Sequence, residues 1–101
     1  MSTSVLARDI DTVRAIVLEH LKGYKARVYL FGSQATGKAS RYSDIDVGVL
    51  PLEPLPDLVF FNIHEALEES DVIRTVDVVN LLEADDRLRK RVAKEGILWT
   101  E

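Results

Sequence analysis

Cysteine is absent from the 101 residues, which excludes a disulfide framework and a thiolate zinc site. Proline is nearly as scarce: all three residues fall in Pro51-Leu52-Glu53-Pro54-Leu55-Pro56. No apolar stretch is long enough to span a bilayer, and the N-terminus lacks the short apolar core of a secretory signal, so no membrane partner and a cytoplasmic location are expected. Positive charge is also in short supply. With 13 Lys and Arg against 17 Asp and Glu, the net charge is −4, which argues against a chain that grips phosphate backbones and so against direct nucleic-acid binding. What is present suits a globular protein: 47% of residues are hydrophobic and 30% charged, and the length fits a single domain, 1–101, with one modest core.

One stretch organises the rest. Val28-Tyr29-Leu30-Phe31 is an apolar run that breaks at Gly32-Ser33. A polar loop follows, and a second apolar run, Ile45-Asp46-Val47-Gly48-Val49-Leu50, opens behind Asp44. The pattern is strand, phosphate-sized loop, strand. Side chains alternate along a strand, so Asp44 and Asp46 share one face while Ile45 and Val47 take the other. Two adjacent carboxylates repel unless a hard cation such as Mg²⁺ lies between them. The alternative is that one aspartate caps the loop and the other is solvated. Gly32 permits positive φ or a close approach to a ligand, and Ser33 offers a hydroxyl and an amide to a phosphate oxygen, although Gly-Ser is also an ordinary turn. Gly48, on the aspartate face, leaves room for a ligand or marks a bulge.

Gly32-x-x-x-x-Gly37-Lys38 also imitates the start of a Walker A loop. Position 39 is Ala rather than Ser or Thr, and a strand rather than a helix is expected to follow, so the context that motif requires is missing.

Before this stretch, Leu6, Ile10, Val13, Val17 and Leu21 recur at steps of three and four, which predicts an amphipathic helix from about Ser4 to Lys22, stopped by Gly23. Arg8, Asp9, Asp11, Arg14 and Glu19 lie off the stripe and read as a solvated face. Lys25 to Phe31 is the first strand and Asp44 to Leu50 the second. The prolines end the second strand. A helix then starts at Pro56-Asp57 and runs through Phe60, Ile63 and Leu67, with His64 structural or exposed.

Val72 to Val79 reads as a third strand in which Asp77 interrupts a β-branched run. A buried unpaired charge there is costly. Either this strand lies beside the second, so that Asp77 joins Asp44 and Asp46, or it is an edge strand with Asp77 in water. Glu83 to Glu95 is a helix with acids leading and bases trailing, as the helix dipole favours. Ile97-Leu98-Trp99 adds a short edge strand or packs on the core. The expected fold is α/β (α+β): a small mixed sheet with helices packed on one face and the working face left uncovered.

Gly32-Ser33, ten residues, then Asp44-x-Asp46 resembles the signature of the DNA polymerase β-like nucleotidyltransferases, and the short chain is similar to their minimal nucleotidyltransferase (MNT) branch. That branch supplies the smaller partner of HEPN–MNT toxin–antitoxin pairs. The resemblance implies a polymerase β-like fold and transfer of AMP, or another nucleotide, from a nucleoside triphosphate such as ATP to a hydroxyl. It implies two Mg²⁺ ions on Asp44, Asp46 and a third acid at Asp77. Gly32 and Ser33 would hold the triphosphate, with Lys38 or Arg41 as charge partners. Many MNT loops resemble Gly-Ser-Arg-Ala-Arg-Gly, whereas this chain carries Gln34 and Thr36 at the arginine positions. By the same resemblance the acceptor would be a tyrosine of a HEPN toxin. The alternatives are a binding-only antitoxin and a subunit that modifies a small molecule such as an antibiotic.

Overall fold

A computed structural model describes residues 5–37 and 44–100. The chain runs α1 (Val5–His20), β1 (Ala26–Phe31), α2 (Ser33–Thr36), β2 (Ile45–Pro51), α3 (Asp57–Glu68), β3 (Val76–Asn80), α4 (Asp86–Glu95) and β4 (Ile97–Leu98). The strands form a sheet of order β3-β2-β1-β4. The β1–β2 and β1–β4 pairs are antiparallel and the β2–β3 pair is parallel. Such a mixed sheet follows from the connections, because a helix is needed to carry the chain back between parallel neighbours and α3 is that helix.

One face of the sheet carries the main core. Val28 and Leu30 of β1, Ile45, Val47 and Val49 of β2, and Val78 of β3 pack with Val13, Val17 and Leu21 of α1 and Val59, Ile63 and Leu67 of α3. Val13, Val17 and Leu21, Ile45, Val47 and Val49, and Ile63 and Leu67 are positions the period picked out, whereas on α3 Val59 takes the buried place expected of Phe60, which is only half-buried. Trp99 joins them, and its amide donates to the Val28 carbonyl at 2.7 Å. The end of the chain therefore both extends the edge through β4 and buries its tryptophan.

Several local expectations are corrected. Asp9 does not belong to a solvated face; it is only 6% exposed, because the connection between α3 and β3 folds over that side of α1. The third strand begins at Val76 rather than Val72. Its ladder opens where the Ile45 amide donates to the Thr75 carbonyl, and β2 supplies no strand residue further upstream to pair with 72–74. β3 stops after Asn80, whose side-chain oxygen accepts the Leu82 amide at 3.0 Å and turns the chain. The last helix starts at Asp86 rather than Glu83, since Asp85 caps it by accepting the Leu88 amide at 2.8 Å. The loop after β1 contains the four-residue helix α2, which the polar composition did not reveal.

The second face is divided. Phe31, Leu81 and Val92 form a small cluster with Tyr29, Leu50, Val79 and Leu88, so α4 covers part of this face. Gly48 serves that cluster and not a ligand: a Cβ there would sit 3.0 Å from Leu81 Cδ1.

Candidate active site

The part of the second face that α4 leaves open is where β1, β2 and β3 meet the loop after Phe31. Across the three strands one row of Cα partners reads Phe31, Asp46, Asp77. Partners in adjacent strands point to the same face, roughly 4.8 Å apart along the hydrogen-bonding direction. Asp77 therefore projects on the same side as Asp46, and the edge position of β3 leaves it exposed. Asp44, one residue before β2, is exposed as well.

Asp46 is half-buried between Phe31 and Asp77. Its carboxyl pKa lies above the ordinary 3.8, because burial strips water from the charged form and because the charges of Asp77 and then Asp44 oppose it. The three acids are thus close enough to feel one another. Among the described residues none of them takes part in an ion pair; the pairs there are Lys22 with Glu19 and Arg89 with Asp86.

Gly32 fixes the other side of the site. Its φ of 74° and ψ of −155° fall in a region essentially reserved for glycine. A Cβ on it would overlap Asp46 Oδ2. The backbone of the loop therefore lies directly against the Asp46 carboxylate, and no other residue type allows that approach. Gln34 adds a feature the sequence did not disclose: its Nε2 donates to the Asp44 carbonyl at 3.3 Å, tying the loop to the strand that carries the acids. The Thr36 hydroxyl donates to the Gly32 carbonyl at 3.4 Å. Ser33 is half-buried at the start of α2. Lys38 and Arg41 lie outside the described residues. His64 is exposed on α3.

Three hard oxygen donors of like charge, with no base paired to them among the described residues, are the donor chemistry that suits a divalent cation such as Mg²⁺. Among the described residues no group of three acidic or histidine side chains is closed into a ready metal cage.

Comparison with known proteins bears on this arrangement. The family model "Polymerase beta, Nucleotidyltransferase" matches residues 17–101. The chain belongs to this nucleotidyltransferase family. Its mixed sheet, with α1 and α3 packed on one face, is the polymerase β-like fold. The Haemophilus influenzae protein named probable protein adenylyltransferase MntA is 30% identical over 97 residues, 96% of this chain and 83% of that protein. The Shewanella oneidensis protein adenylyltransferase MntA is 36% identical over 73 residues, 71% of this chain, and the match spans only 52% of that relative. A solved structure described as the toxin-antitoxin with AMP-PNP superposes with a TM-score of 0.67 at 28% identity, covering 86% of this chain and 72% of that one. Among the described residues no helix is long and apolar enough to cross a membrane.

Proposed function

We propose that this chain is a Mg²⁺-dependent nucleotidyltransferase that moves AMP from ATP to a hydroxyl, the acceptor being a tyrosine of a partner HEPN toxin, so that it acts as an antitoxin. The observation that carries this reading is the row in which Asp46 and Asp77 stand side by side on neighbouring strands, with Asp44 two residues ahead and the Gly32 backbone pressed against Asp46. The MntA relatives and the toxin–antitoxin structure with AMP-PNP support the choice of nucleotide and partner.

In this mechanism the acceptor oxygen attacks the α-phosphorus, a P–O bond forms to it, and the bond to the pyrophosphate oxygen breaks. Asp44 and Asp46 would hold the cations and Asp77 would complete the set on the acceptor side. Two bound Mg²⁺ ions would supply a lowered acceptor pKa and neutralisation of the leaving pyrophosphate. Asp77, which is exposed at the sheet edge, would also assist in taking the hydroxyl proton. Gly32 and Ser33 would receive the triphosphate, with Lys38 or Arg41 supplying positive charge.

Gln34 and Thr36 favour a second reading. Both make hydrogen bonds within the loop and neither carries the charge of an arginine, which suits a binding-only antitoxin with little or no chemistry. One experiment separates the two. The chain is incubated with α-labelled ATP, Mg²⁺ and a candidate HEPN partner protein. Label on the partner, lost in Asp44→Asn and Asp46→Asn, supports transfer; a stable complex without label supports binding alone; equal labelling by these variants refutes the assigned roles.

A further inference from the structure

The two edges of the sheet differ. β4 ends one side with only Ile97–Leu98, and so short an edge offers little to pair with. β3 ends the other with Val76-Asp77-Val78-Val79-Asn80, and carries neither a proline nor a lysine to discourage pairing. The ladder to β2 sets which of its backbone groups are already used. The Ile45 amide donates to the Thr75 carbonyl at 2.9 Å, and the Leu81 amide donates to the Val49 carbonyl at 2.8 Å. By the alternation of a parallel ladder, Asp77 and Val79 then turn their N–H and C=O groups toward β2, and Val76 and Val78 turn theirs outward. Among the described residues no backbone group bonds to those outward positions. The Asn80 carbonyl, which accepts the Glu83 amide at 3.0 Å, closes the far end of the edge.

A groove lies beside this edge on the side of α3. It holds about 230 Å³ between Phe60 and His64 of α3 and Val78 and Asn80 of β3, and Asp57 and Glu83 bring carboxylates to it. Val78 faces α3, as its place in the main core shows, whereas Asp77 faces the carboxylate row on the opposite side of the sheet. The free edge is thus flanked on one face by the acids of the candidate active site and on the other by an acidic recess.

We propose that an extended segment of the partner protein pairs with the free edge of β3 and carries the acceptor hydroxyl opposite Asp77, with a lysine or arginine next to it in sequence seated in the groove. Backbone groups left open at a sheet edge are completed by an added strand. Side chains alternate along that strand too, so a residue opposite Asp77 rises on the face of the acids and its immediate neighbours fall on the face of α3. Those neighbours meet Val78 and the Phe60 ring, which suit a methylene stem, and Asp57 and Glu83, which suit a cationic head. The hydroxyl opposite Asp77 rests on the function proposed above; the pairing and the groove do not.

The test reads binding and chemistry separately. ¹H–¹⁵N spectra of the whole chain are titrated with the blocked peptide Ac-Thr-Lys-Tyr-Lys-Thr-NH2, with its Phe-for-Tyr and Glu-for-Lys forms, and with a set methylated at one backbone nitrogen at a time. Saturable shifts at Phe60, Val76, Val78 and Asn80 are expected with the lysine peptides, whether they carry tyrosine or phenylalanine. The glutamate form binds at least tenfold more weakly. So does the lysine peptide to Asp57→Asn combined with Glu83→Gln, checked for its fold by its melting curve. Methylation at alternate nitrogens abolishes binding and at the intervening ones leaves it intact. With α-labelled ATP and Mg²⁺, label enters the tyrosine peptide and not the phenylalanine one. A peptide that binds without label, from a chain that does label its partner protein, overturns the acceptor's place opposite Asp77. A chain that labels neither contradicts the function proposed above and leaves the pairing supported. Absence of saturable shifts, equal binding of the glutamate form, or a methylation series without alternation overturns the proposal. So do the same shifts with rising protein concentration and no peptide, which mark a second copy of this chain as the occupant.

Discussion

Gly32→Ala isolates the contact between loop and carboxylate. The backbone of Gly32, at φ 74° and ψ −155°, lies in a region that costs a residue with a Cβ about 1–3 kcal/mol. In a domain of this size each kcal/mol lowers Tm by roughly 4–8 °C. Strain is only half of the effect. The new methyl group overlaps Asp46 Oδ2, so the carboxylate must retreat by on the order of 1 Å, and a misplacement of that size can cost about 10²-fold in rate. Gly23→Ala provides the control: φ is +85° there, but nothing lies within 4 Å of the added Cβ, and the residue is remote from the acids. The two variants are melted by circular dichroism and then assayed for label transfer at a temperature where both are folded. Both melt lower than the parent chain. Gly32→Ala transfers about 10²-fold more slowly per folded molecule, and Gly23→Ala transfers at the parental rate. Full transfer by Gly32→Ala would show that the loop does not position Asp46, and the reasoning would fail.

Other expectations follow from the same geometry. Because the folded-state pKa of Asp46 is raised, the folded protein holds more protons than the unfolded chain between pH 3.8 and the raised value, and Asp46 lowers stability as pH rises through that window. Asp46→Asn removes this loss, so urea melts show its advantage over the parent growing as pH rises above 3.8 and then levelling; a constant difference across pH contradicts the cause given. Gly48→Val drives a branched side chain into Leu81, which lies 3.0 Å from an added Cβ, and costs about 1–3 kcal/mol by urea denaturation; an unchanged midpoint would mean the second cluster is loosely packed. Ile63→Ala, at a fully buried site in the main core, costs about 2–5 kcal/mol by the same measurement, and a loss below 1 kcal/mol would count against the packing of α3 on the sheet.

Periodicity made the helices and the inner strands legible, since Val13, Val17 and Leu21 or Val28 and Leu30 announce a face by spacing alone. The carboxylate row was half legible: the alternation within one strand ties Asp44 to Asp46, but only the parallel register brings Asp77 beside Asp46. Registers are set by tertiary packing, which a single segment does not encode. Asp9 was misread for the same reason. Its position off the apolar stripe of α1 suggests solvent, and the cover comes from residues sixty positions away around Ser70 and Asp71. Gly48 was ambiguous because glycine signals space without saying what fills it, and here Leu81 does. The Gln34 bond to Asp44 left no trace in composition, because it depends on the short turn of helix formed by Ser33–Thr36.

The central claim is that Asp44, Asp46 and Asp77 jointly hold a divalent cation beside Gly32-Ser33. Titrating the ¹⁵N-labelled chain with Mn²⁺ at substoichiometric levels reads this directly, through the distance-dependent loss of amide signals. Loss centred on Asp44, Asp46, Asp77 and Gly32, competed away by Mg²⁺ and weakened in Asp77→Asn, is the predicted result. Broadening centred elsewhere, or unaltered by Asp77→Asn, would contradict the account.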